Sequence, residues 1–159
     1  MILHIKGSNK AVRRLIETAA WFYAEKLMGK RLMESLEITI NLKKNLLSKE
    51  GFEGTAMWED DSYRPKEFTI EIDTTAKIRN ILITLAHEMV HVKQWAKNEM
   101  YEYMNVAGMV RFKGEKIHME ITDYWDYPWE IEAYGKQLGL FVRFCEHMDF
   151  DRDDMKEEA

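Results

Sequence analysis

The amino-acid sequence predicts a single α+β domain, and three observations carry that prediction. Two short segments place apolar residues at every second position, Leu36 to Leu42 and Phe68 to Ile72, the period of a half-buried strand. Three longer segments, roughly residues 9–31, 76–98 and 128–147, repeat apolar residues at helical spacing. The chain has 159 residues, 46% hydrophobic and 32% charged, the size and balance of one folded unit with a substantial core.

Taken in order, Ile2 to Ile5 form a short first strand, and Ser8 or Asn9 offers an N-cap for a helix reaching Arg31. Val12, Leu15, Ile16, Ala19 and Tyr23 fall on one face of it. The alternation of Leu36, Ile38, Ile40 and Leu42 makes the second strand. Gly51 and Gly54 mark a loop, after which Thr55–Glu59 and Phe68–Ile72 read as strands joined by the polar turn Asp60 to Pro65. Asp73, Thr74 and Thr75 supply capping side chains for the helix from about Ala76 to Asn98, with Ile78, Ile81, Leu82, Leu85, Met89 and Val92 apolar. Met109–Phe112 and Lys116–Met119 flank Gly114 as a hairpin. Pro128 suits the first turn of a final helix, with Asp126 or Tyr127 at its cap. Residues 1–148 make the domain, and 149–159 read as an acidic, solvated tail.

Composition excludes several classes. The 23 basic residues against 28 acidic ones leave a net charge of −5, which disfavours nucleic acid as a partner. No run approaches the ~18 apolar residues of a spanning helix, and the first residues carry no secretory pattern, so the expectation is an intracellular, cytoplasmic protein without membrane association. The single cysteine, Cys145, rules out an internal disulfide and a multi-cysteine zinc site, leaving histidine and carboxylate as metal ligands.

The long central helix carries His87-Glu88-Met89-Val90-His91, an HExxH match. Histidines four apart lie one above the other on a helix, so their imidazoles can converge on one zinc ion. Glu88, beside His87, can reach a water at that metal without ligating it and act as general base. The alternative reading is a surface helix carrying two histidines by coincidence.

A catalytic zinc site takes three protein ligands and one open position. His118, Glu120, Asp123, Asp126, Glu130, Glu132 and His147 lie downstream. On the final helix Glu130 shares its face with Tyr134, Leu138 and Phe141, which points it inward, whereas Glu132 shares a solvated stripe with Gly135, Lys136, Gly139 and Arg143. A carboxylate on a buried face needs a partner, so Glu130 is favoured as the third ligand over its other reading, a carboxylate at the helix-dipole terminus. Asp123 and Asp126 are candidates to orient the histidines. Tyr101, Tyr103, Tyr124, Trp125, Tyr127 and Trp129 read first as core beneath the hairpin, and second as the lining of an apolar cleft.

The segments His87-Glu88-Met89-Val90-His91 and Pro128-Trp129-Glu130-Ile131-Glu132-Ala133-Tyr134 resemble the gluzincin-like branch of the zincin metallopeptidases. They are also similar to small SprT-like or phage-encoded metallopeptidases. In several such families the third ligand is a Glu three residues before Ala, which places that role on Glu130. The chain lacks the cysteine zinc ribbon and third-histidine segment of better-known SprT-like proteins, and the HExxHxxGxxH continuation of metzincins.

The resemblance implies a zincin-like fold: a small mixed sheet packed on an N-terminal helix and the HExxH helix, with the third ligand on a C-terminal helix. It implies one Zn2+ held by His87, His91 and Glu130, Glu88 as general base, and hydrolysis of a peptide or protein substrate. For a phage-encoded chain the compartment would be the host cytoplasm. Extended substrate would add to an edge strand, for which Phe68, Ile70 and Ile72 are the local candidate. A donor for the developing oxyanion is also required, and Tyr134, Tyr127 and His118 are the candidates. The competing function is a non-catalytic, zinc-stabilised binding or regulatory module on the same scaffold. The oligomeric state is left open by the sequence.

Overall fold

Alternating apolar residues in neighbouring strands find each other in register. In the computed structural model, which describes residues 1–150, β1 (Ile2–Lys6), β2 (Glu37–Lys43), β3 (Gly54–Trp58) and β4 (Glu67–Asp73) form one sheet in the order β1-β2-β4-β3. Ile38 lies opposite Phe68, Ile40 opposite Ile70 and Leu42 opposite Ile72 on the parallel pair β2–β4. Each is buried, and each contributes about 1.5–3 kcal/mol by leaving water. β1 is also parallel to β2, whereas β3 runs antiparallel on the outer side of β4. The sheet is therefore mixed, as expected.

This order corrects one expectation. Phe68, Ile70 and Ile72 do not belong to an edge strand, because β4 is hydrogen-bonded to β2 on one side and β3 on the other. A period of two reports that one face is buried and says nothing about how many neighbours a strand has. The edge strands are β1 and β3, and β3 is the one that lies beside β4.

α1 (Lys10–Leu27) starts where Asn9 accepts the Val12 N–H at 3.0 Å. It ends before Arg31, since Met28 turns extended and a separate short helix, α2 (Lys30–Glu34), follows Gly29. A second short helix unforeseen in the sequence, α3 (Leu46–Glu50), lies between β2 and β3. It takes Asp73 away from its expected capping role: that carboxylate accepts the N–H groups of Leu47 and Thr75, both at 2.8 Å. α4 (Ile78–Ala96) consequently starts from Lys77 without a side-chain cap.

The hairpin is present as β6 (Met109–Phe112) and β7 (Glu115–His118), and β5 (Met100–Glu102) adds a third strand. Lys113 and Gly114 both take positive φ, 48° and 90°, the requirement of a type I′ turn. Two 3-10 turns, Met119–Ile121 and Tyr124–Asp126, then lead into α5 (Pro128–Met148), which opens on Pro128 without a side-chain cap.

The core joins Ile16, Ala20 and Tyr23 of α1, Leu82, Leu85 and Met89 of α4, and Phe141 and Phe144 of α5 to the apolar face of the sheet. The Tyr23 hydroxyl donates to the Leu82 carbonyl at 3.2 Å, tying α1 to α4. α5 closes with Asp149 in the left-handed region and a bond from the Phe150 N–H to the Cys145 carbonyl, and the Phe150 ring meets Phe144 edge-on. The first two residues of the expected acidic tail thus belong to the helix end, and 151–159 lie outside the described residues. Among the described residues no helix is long and apolar enough to cross a membrane.

Candidate metal centre

α4 and α5 pack along one another, and this brings three side chains from two distant segments together. His87 Nε2 lies 3.1 Å from His91 Nε2, 3.2 Å from Glu130 Oε2, and the Glu130 Oε1 to His91 Nε2 separation is 3.4 Å. This His87–His91–Glu130 group can hold a metal ion, its ligand atoms all lying within 4.8 Å of one another. Glu130 points at the histidines across a cleft and not into the core; on its face Tyr134 and Leu138 are 42% and 51% exposed.

Each histidine is fixed from behind. The Nδ1–H of His87 donates to Gln137 Oε1 at 2.8 Å, and that of His91 to Gln94 Oε1 at 2.9 Å. These bonds select the tautomer whose Nε2 lone pair faces Glu130. Two nitrogen lone pairs and a carboxylate facing one another repel unless a cation or shared proton sits among them, so the donor set fits a metal ion. Burial alone would lower the proton affinity of His91 and raise that of Glu130. The hydrogen bond with Glu130 and the charges of Glu88 and Glu130 outweigh burial at His91 and hold it above its ordinary pKa, while hydrogen bonds with His87 and His91 and their charges hold Glu130 well below the usual carboxylate range.

Neither Asp123 nor Asp126 orients the histidines. Asp123 caps its 3-10 turn by accepting the Trp125 N–H, and Asp126 is exposed. The glutamines that take this role have a spacing signal: Gln94 is three residues after His91 on α4, and Gln137 seven after Glu130 on α5, each on the same helix face as that residue.

Glu132 corrects a second expectation. It is not solvated: it bonds Lys93, accepts from Gln94 Nε2 at 3.2 Å and lies 3.5 Å from Lys113 Nζ. Gln94 Nε2 also donates to the Trp129 carbonyl at 3.0 Å, and Lys93 pairs with Glu99 at 2.7 Å. The chain Lys93–Glu132–Gln94–His91 therefore clips α4 to α5 directly behind His91.

Glu88 is 5% exposed and accepts no hydrogen bond among the described residues. Burial raises its pKa, partly offset by the two histidines. It lies against β3 at Gly54, where a Cβ would come within 2.4 Å of Thr84 Cγ2 and 3.1 Å of Glu88 Oε1. Only glycine lets the strand approach the helix this closely. Gly54, Thr55 and Ala56 form one wall of the cavity containing His87, Glu88, His91 and Glu130. A larger cleft of about 590 Å³ extends from His87 and Glu88 past Arg79 and Gln137.

Of the three candidate oxyanion donors, only Tyr134 stands at this group, its ring 4.7 Å from that of His87. Tyr127 spends its hydroxyl on the Met119 carbonyl, and His118 lies on β7 beside Gly108 and Glu120. Tyr124, read from the sequence as core or cleft lining and not as a partner of Glu130, donates to Glu130 Oε2 at 3.0 Å and lies 3.3 Å from the Tyr134 hydroxyl. Its position depends on how the 3-10 turn folds over α5, and no spacing announces it. The aromatic cluster divides accordingly: Tyr127 and Trp129 are core, Tyr124 is exposed at the cleft, and Trp125 is exposed beside Tyr134. Comparison of the chain with family models, curated proteins and solved structures finds no match in any of the three.

Proposed function

We propose that this chain is a zinc-dependent peptidase of the zincin type, with His87, His91 and Glu130 holding the ion and Glu88 as general base. The observation that carries the reading is the convergence of two tautomer-fixed Nε2 atoms and one carboxylate beside a buried, unbonded glutamate. Two imidazoles and one carboxylate are the ligand set of catalytic zinc, and the ion supplies a Lewis acid that acidifies water there.

Glu88 accepts the proton of the attacking water on its carboxylate. Buried at the cavity wall, it holds that proton until the leaving amine takes it. Tyr134, with its hydroxyl beside that of Tyr124, donates to the oxygen on which negative charge develops. The open edge of β3 aligns an extended substrate by main-chain hydrogen bonds, placing the cleaved bond next to Glu88.

Metal content per chain, measured by mass spectrometry on protein purified without added metal, is the first test. Near-stoichiometric zinc in the wild type and its loss in Glu130→Ala are expected. Glu88→Gln should keep the zinc and lose hydrolysis by roughly 10²–10⁴-fold. Zinc with no hydrolysis of any peptide by the wild type would favour a binding module, and a wild type that takes up no zinc would overturn the site.

A further inference from the structure

A second cavity, of about 270 Å³, opens off the metal cleft at the Trp58 end of β3. Trp95, Met100 and Glu102 line both spaces, and Trp95 stands one helical turn beyond the ligand His91, their rings 6.1 Å apart. The walls are aromatic: Trp58, Trp95, and the pair Tyr63–Tyr101, stacked at 4.8 Å and 7°. Two carboxylates, Asp61 and Glu102, complete the lining, and no lysine, arginine or histidine is among the residues that form it. Arg111 lies over the Tyr101 ring but is held by Asn98 Oδ1 at 2.7 Å, and it is not part of the wall.

Glu102 is half-buried and has neither hydrogen bond nor ion pair among the described residues. Burial without a partner raises its pKa. A carboxylate so placed is costly beside an apolar occupant, because filling the cavity removes its remaining water. A cationic occupant resolves this. The charge would meet Glu102 and Asp61 while the alkyl stem packs between aromatic faces, whose quadrupoles also attract cations.

We infer that this cavity is a recognition pocket for a lysine or arginine side chain of the substrate, read by Glu102 and the aromatic walls. The inference rests on the peptidase reading for the word substrate, while the pocket's preference for a cation can be measured without hydrolysis. The full-length chain is titrated with Nα-acetyl-arginine amide, Nα-acetyl-lysine amide and, as uncharged control, Nα-acetyl-norleucine amide. The indole N–H signals of Trp58 and Trp95 in 1H–15N spectra report occupancy.

Saturable shifts for the two cationic probes are expected, with affinity at least about tenfold above that for norleucine amide. Glu102→Gln should remove most of that preference, and Asp61→Asn part of it. Equal affinity for arginine and norleucine amides in the wild type overturns the inference, as does a preference that persists undiminished in Glu102→Gln. Should Glu102→Gln fail to fold, the wild-type comparison decides alone. A cation preference in a chain that hydrolyses nothing leaves the pocket standing and counts only against the peptidase reading.

Discussion

Gln94 makes three hydrogen bonds with one side chain: Oε1 to His91, and Nε2 to the Trp129 carbonyl and Glu132. Gln137 has the simpler task of orienting His87. Removing such an orienting partner commonly weakens metal binding 10–100-fold, so Gln137→Ala is expected to lose zinc affinity by about that factor with the fold intact, measured by chelator competition. Lys93 is the counter-ion behind this arrangement. Its replacement by Met removes the close, buried partner of both carboxylates, leaving Glu132 to Gln94 and the more exposed Lys113 and Glu99 to Lys97 at 3.7 Å, and should cost about 2 kcal/mol at neutral pH.

The pH dependence of that cost has a definite sign. Burial resists ionisation of Glu132, but the bonds from Lys93 and Gln94 prevail and lower its pKa. A carboxyl with a lowered folded-state pKa adds stability that is full above its unfolded value, about 4.3, and is lost as pH falls through the folded value. Lys93 is raised, so its share persists to alkaline pH. The gap in urea-unfolding free energy between wild type and Lys93→Met should therefore be level from about pH 6 to 8 and shrink below about pH 4. A gap that widens with acid would assign the stabilisation elsewhere.

β3 and α4 approach very closely at Gly54, against Thr84 and Glu88. Gly54→Ala must move either the strand or the glutamate, since the Thr84 methyl belongs to a stiff β-branched side chain. The expectation is a fall in hydrolysis of at least about tenfold with zinc content unchanged, because the added methyl meets Thr84 and Glu88 and none of His87, His91 and Glu130. Zinc lost together with activity would show that the strand supports the ligands themselves. Period-two patterns gave away β2 and β4, and Gly114 the hairpin. α3 and β5 went unread, being five and three residues long, too short for a period to register.

Across the molecule, α4 carries two proposed ligands and α5 the third, so a bound ion would bridge the two helices that pack most extensively. Binding to the native state alone stabilises it by about 2.7 kcal/mol at a hundredfold excess over Kd. For a chain of this size that corresponds to roughly 5–10 °C in Tm. Chelation of zinc-loaded protein should lower Tm by this amount in wild type and leave Glu130→Ala unmoved, as read by thermal unfolding with and without a chelator.

HExxH and the helix that bears it could be read from local spacing, because a helix converts a spacing of four into a shared face whatever surrounds it; Glu130 was singled out by the same spacing, but it faces the histidines across a cleft and not the core. Edge and interior strands carry the same alternation, so only the assembled sheet could set β3 and not β4 beside the cleft. The burial of Glu132 likewise came from α4, whose Lys93 supplies a charge that no pattern on α5 discloses. Tyr124 above Glu130 and the unpartnered Glu102 among four aromatic rings depend on segments folding over one another from elsewhere in the chain. Contacts of that kind have no period, and tertiary packing alone creates them.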